Sequence, residues 1–136
     1  MIHIKPDTDV YLLAALLHEI DVTQGFNVDA MHRGKNVDEL RAFVAGYDAD
    51  KVAGITGIPA AEIRRLAQGF AGAKSACVHM STGVNMGRQG TLCYWLVHML
   101  SLVTGNLGEQ GGNFYSLGFY ERAAASGKGG AGEVSG

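Results

Sequence analysis

The chain has 136 residues, a formal net charge of −2, 20 glycines and two cysteines, a size that predicts one modest domain whose core cannot be large. Eleven basic residues stand against 13 acidic ones without a Lys or Arg cluster, which excludes the electrostatic footprint of a nucleic-acid binder. Cys77 and Cys93 form no CxxC spacing, which excludes redox-pair and cysteine-cluster metal chemistry and marks both as apolar fillers of a reducing compartment.

In chain order, Ile2-His3-Ile4 alternates apolar with polar and reads as the end of a strand stopped by Pro6. Asp7 or Thr8 is the expected N-cap of a helix over residues 10–20, where Val10, Leu13, Leu17 and Ile20 form one stripe and Leu12 and Leu16 widen it. Gly25-Phe26-Asn27 marks a connection, and Asn36 with Glu39 resembles a capping box opening a short helix that carries Leu40, Phe43 and Val44 and closes at Gly46. Residues 48–55 predict a short helix broken at Gly57. Pro59 then suits a first helical turn before Ile63, Leu66, Ala67 and Phe70 define an amphipathic helix.

Residues 75–80 are short and apolar enough for a central strand. A glycine turn follows, with Gly83, Gly87 and Gly90, and then a helix in which Leu92, Trp95, Leu96, Met99, Leu100 and Val103 recur at helical spacing while Cys93 and Val97 make the opposite face apolar. Helices apolar nearly all round belong inside a larger body. About two strands and about five helices are readable, which predicts an α/β class: a helix-rich fragment of a Rossmann-like domain over residues 1–118, followed by a flexible Gly/Ala/Ser-rich tail over 119–136. The longest apolar run, 92–103, is too short to cross a bilayer, and Lys5, Asp7 and Asp9 interrupt any signal peptide. The expectation is a cytoplasmic chain with no membrane insertion.

The strand, glycine turn and helix over residues 76–103 have the order in which α/β proteins build phosphate cradles. The glycine spacing is not that of the usual dinucleotide fingerprint, so a plain strand-to-helix turn is the competing reading. Arg88 is the one cation inside the turn, suited to a phosphate or to a solvated loop tip. Asp7 and Asp9 could accept hydrogen bonds from a base or ribose, with helix capping as the default. His3, His18, His32, His79 and His98 form no i, i+4 pair or carboxylate cluster of the zinc-site kind. No spacing identifies a nucleophile or an acid–base pair, so no catalytic residue and no metal ligand is assigned, and any chemistry must come from a cofactor.

Five elements in this order resemble the molybdopterin oxidoreductases, the dimethyl-sulfoxide-reductase superfamily that includes formate dehydrogenases and nitrate reductases. They are Lys5-Pro6-Asp7-Thr8-Asp9, similar to the family's Arg-Pro-Gly-Thr-Asp; Val37-Asp38-Glu39-Leu40 with Ala45-Gly46-Tyr47; Ile55-Thr56-Gly57-Ile58-Pro59-Ala60-Ala61-Glu62-Ile63; Gly83-Val84 with Gly90-Thr91; and Thr104-Gly105-Asn106-Leu107-Gly108. The resemblance implies a large enzyme with two molybdopterin guanine dinucleotides around molybdenum or tungsten, of which this chain is an internal, cofactor-binding segment, inactive alone and with no cofactor bound in isolation. It makes Asp9 the counterpart of an acidic residue that contacts a guanine. It also puts Gly83, Val84, Asn85, Thr104, Gly105 and Asn106 near the cofactor. The implied partners are the remainder of the parent polypeptide and an electron-transfer subunit.

Asp7 stands where the family carries glycine, Met86 where many members carry glutamine, and Gln110-Gly111-Gly112-Asn113 departs from the usual continuation. The Arg-Gly-Gln-Asn segment typical of formate dehydrogenases is absent, and neither Cys77 nor Cys93 matches a metal-ligating or cluster cysteine. Two other classes remain open: a non-enzymatic helical interaction domain whose apolar helices a partner covers, and a small nucleotide-binding α/β domain.

Overall fold

A computed structural model describes residues 1–114; the tail expected over 119–136 lies outside the described residues. Seven helices are present among them: α1 (Asp9–Thr23), α2 (Val28–Arg33), α3 (Val37–Val44), α4 (Ala49–Thr56), α5 (Ala60–Gly72), α6 (Thr82–Asn85) and α7 (Gly90–Val103). The expected α/β, Rossmann-like class with two strands is corrected: the described residues contain no strand, only an isolated parallel bridge between Leu107 and Asn113.

The reason lies in where the backbone hydrogen bonds go. Residues 1–5 form no regular element, and the Lys5 amide donates to the Thr56 carbonyl at 2.9 Å, at the end of α4, rather than to a strand. Residues 76–80 are extended, with Ala76, Val78 and Met80 half-buried and Cys77 and His79 exposed, the period of two that a strand requires. Their recorded bonds are to asparagine side chains. Alternation identified an extended segment, whereas a sheet also needs a neighbour, which a single chain's pattern does not supply.

α1 is the central element and packs against α3, α4, α5 and α7. Its Leu13, Ala14, Leu17 and Ile20 join Leu40 and Val44 of α3 and Leu96, Val97 and Leu100 of α7 in one core, while Ala15 faces Ala49, Val52, Ile58 and Ile63 in a second. Leu17 and Ile63 are wholly buried, each burial contributing about 2 kcal/mol. The near-uniform apolarity of residues 10–20 thus reflects a helix enclosed on both sides. None of the helices is long and apolar enough to cross a membrane.

Some local signals resolve as expected and others differently. Asp48 caps α4 through the Lys51 amide at 3.0 Å, and Gly57 ends it at φ 79°. Thr8 holds the N-cap position of α1, but its hydroxyl donates to the Lys5 carbonyl at 2.7 Å and caps nothing. Asn36 adopts φ 60° and makes no capping bond, so the expected capping box does not form. α2, unmarked by periodicity, exists because Asn27 accepts from the Ala30 amide at 2.9 Å while its own amide donates to the Val103 carbonyl at 2.7 Å.

One charge is buried in the centre of this bundle. Glu19 of α1, 5% exposed, accepts from the Ala49 amide at 2.9 Å and lies 3.4 Å from the Arg64 guanidinium of α5. Glu19→Ala should lower the unfolding free energy in urea titrations by about 3 kcal/mol, because a buried amide loses its acceptor and a charge pair is broken from one side. Glu19→Gln, which keeps an acceptor for Ala49, should recover part of the loss, and Glu62→Ala, which removes only the exposed pair with Arg65, should leave the midpoint unchanged.

Candidate functional site

The residues singled out by sequence fall at the two ends of α7. Its 14 residues separate those ends by about 20 Å. At the N-terminal end, Asp7 and Asp9 from the start of α1, Gly83 and Val84 of α6, Gly87 and Gln89 of the following turn, and Cys93 of α7 surround one narrow cleft. Asn85 lies beside it, in a shallow depression shared with Arg88, Gly90 and Trp95.

Asp9 is half-buried in the first turn of α1, where the helix dipole favours its charge. Among the described residues no donor is recorded on its carboxylate. Asp7 behaves differently. It holds φ 61°, a left-handed conformation that is uncommon for a residue with a side chain. This aims its carboxylate across to the Arg88 amide at 3.1 Å, with the Arg88 guanidinium at 3.7 Å. The Arg88 side chain is 90% exposed, the solvated loop tip of the two sequence readings, with the Asp7 carboxylate beside it.

The turn is built from glycines that sit against other groups. A Cβ on Gly87 would lie 2.8 Å from the Asp7 carboxylate, and one on Gly90 would collide with the Asn85 carbonyl; at Gly83 nothing approaches and the backbone is open. Cys93 is buried below. Its thiol is pushed up from the ordinary value by burial first, and then by the negative charges of Asp9 and Asp7, so it is a neutral filler and no nucleophile. The cleft itself offers about 10 Å³, room for one water. A larger ligand would meet this edge from outside.

The other end of α7 is occupied by a polar network. Asn106, 6% exposed, accepts from the Ala76 amide at 2.9 Å and donates to the Thr104 hydroxyl at 2.9 Å, and that hydroxyl donates back to the Leu100 carbonyl at 2.7 Å. Asn113 grips Val78 in both directions, accepting from its amide at 2.9 Å and donating to its carbonyl at 2.7 Å, and accepts from the Ser101 hydroxyl at 2.9 Å. Gly105 turns at φ 74° against the Asn27 side chain. Thr104, Gly105 and Asn106 are therefore engaged in holding the extended segment, away from Asp9 and Gly83.

Asn113 was not singled out from the sequence. Its signal was the preceding Gly111-Gly112 pair: a Cβ at Gly112 would collide with the Asn106 carbonyl, so the glycines mark a loop folded tightly onto Asn106. His79 projects from the exposed side of the extended segment. A groove of about 860 Å³ runs between α2, α3 and α7 past Val37, Phe43, Trp95 and Met99 and contains none of the sequence-assigned site residues. No group of three or more His, Cys, Asp or Glu among the described residues is placed to hold a metal ion.

Two outcomes follow. Asn113→Ala should raise the hydrogen-exchange rate of the Val78 amide about tenfold, the loss of one net hydrogen bond, with α5 amides unchanged. Thiol alkylation followed with rising pH should modify the exposed Cys77 before Cys93. Asp9→Asn removes a negative charge that disfavours the Cys93 thiolate, so it should move the Cys93 profile to lower pH.

Comparison with known proteins places this geometry. No family model matches the chain. Formate dehydrogenase H of Escherichia coli (strain K12) is 34% identical over 109 residues, which cover 79% of this chain and 15% of that protein. Acetylene hydratase from Pelobacter acetylenicus superposes with a TM-score of 0.71 at 26% identity, over 75% of this chain and 14% of the hydratase. The chain thus spans about 15% of the length of these relatives. Over the matched residues, the chain belongs to the molybdopterin oxidoreductases of the dimethyl-sulfoxide-reductase superfamily.

Proposed function

We propose that this chain is a cofactor-binding segment of a molybdenum or tungsten oxidoreductase, that it positions the nucleotide end of a molybdopterin guanine dinucleotide, and that it is inactive alone. The observation that carries the reading is the Asp9 carboxylate, half-buried beside the open backbone of Gly83, with no recorded donor among the described residues. A carboxylate in that state fits the paired N–H donors of a guanine edge, to which it can accept two parallel bonds. The exposed backbone at Gly83 lets a bulky ligand approach closely.

In this reading Asp9 binds and orients, and Gly83, Val84 and Asn85 form the surface against which the nucleotide lies. Thr104, Gly105 and Asn106 are assigned a supporting role: they hold residues 76–80, and so the base of the turn, from the far end of α7. When bound, the metal cofactor supplies the two-electron chemistry, and no residue of this chain is assigned a catalytic step. The remainder of the parent polypeptide and an electron-transfer subunit are the proposed partners.

The groove between α2, α3 and α7, with Phe43 and Trp95 partly exposed and in edge-to-face contact, favours a second reading as a non-enzymatic helical interaction domain. The two readings separate on one measurement: molybdenum, tungsten and guanine-nucleotide content of the full-length source protein, and of its Asp9→Ala variant. The cofactor reading expects metal and guanine nucleotide in the native protein and a loss of about tenfold or more in the variant, because two charge-assisted bonds disappear. A native protein free of both, or a variant that retains both in full, defeats it.

A further inference from the structure

Asp7 carries an assignment of its own. Three observations converge on it: a left-handed backbone at φ 61°, a hydrogen bond from the Arg88 amide at 3.1 Å spanning 81 positions of sequence, and a glycine at 87 whose missing Cβ is the space that the carboxylate fills, 2.8 Å from where that Cβ would stand. A side chain in a strained conformation that reaches so far across the chain is held there by what it meets. What it meets is the turn beside Asp9.

We propose that Asp7 is a positioning residue for the nucleotide-binding edge: its carboxylate latches the turn over residues 83–88 onto the start of α1 and so holds Gly83 and Gly87 against Asp9. The Asp7 side chain is 43% exposed and that of Arg88 90% exposed, so the ion pair between the side chains contributes little. The bond to the backbone amide is what fixes the turn. Arg88 is then a partner of Asp7, and the edge presents Asp9 as its unengaged charge. The role in cofactor binding rests on the reading of Asp9 given above, whereas the latch stands on geometry alone.

The test uses the full-length protein, with hydrogen exchange followed by mass spectrometry over the peptide 82–92 and metal content per polypeptide as separate readouts. Asp7→Gly accepts the backbone conformation without strain and removes only the latch. It should speed exchange in 82–92 about tenfold, leave the α5 peptide unchanged and lower the metal content. Asp7→Asn, which tolerates positive φ and keeps an acceptor oxygen, should rescue both readouts. Gly87→Ala should loosen the turn in the wild-type background and add nothing to Asp7→Gly, because the two changes act on one contact.

Unchanged exchange in Asp7→Gly, an equal rise in α5, or additive effects of the two changes would overturn the latch. Faster exchange with full metal retention would overturn its positioning role. Should Asp9→Ala keep its metal, the cofactor reading fails by itself, and the exchange data still decide the latch.

Discussion

The arrangement depends on a carboxylate enclosed at the middle of a bundle. Glu19 reaches from α1 to the first amide of α4 and to Arg64 of α5, so one side chain fixes the position of three helices. Apolar packing alone would leave α1 free to rotate among similar faces, since it is apolar around most of its circumference. A buried charge has few arrangements in which it is satisfied. It thereby sets the rotation of α1, and with it the direction in which Asp7 and Asp9 leave the helix.

The same economy of polar groups organises the far side. Residues 76–80 have the alternation of a strand but no neighbouring strand among the described residues, and two asparagine amides stand in for the missing ladder. An amide side chain offers the same donor and acceptor as a peptide group. The loop after α7 is therefore a clamp on the segment that leads into the glycine turn. Its polar side chains are paired with one another and with that segment.

Much of the helical layout was legible in the sequence because it is written in local signals. Asp48 and Gly57 bound α4 as their chemistry dictates, and the spacing of Ile63 and Ala67 placed the buried face of α5 correctly. The strands were misread for a physical reason: alternation reports that one face is covered, and a helix layer covers a face as well as a sheet does. Asn36 failed as a cap at its positive φ, and Thr8 because its hydroxyl turns back to the neighbouring Lys5 carbonyl. At the candidate site, Asp9 and Gly83 line one cleft, whereas Thr104, Gly105 and Asn106, grouped with them by the family resemblance, lie at the other end of α7. Asn113 had only the preceding Gly111-Gly112 pair as its sequence signal, and its partners Val78 and Ser101 emerge only from the fold.

The contact between Asp7 and Gly87 has an evolutionary corollary. Two positions 80 apart in the chain share one small volume, and each amino acid there is acceptable only in view of the other. An acidic residue at 7 reaches the turn best when position 87 carries no side chain, because its carboxylate would have to shift to make room for an alanine there. Among descendants of this sequence the pair should drift as a unit.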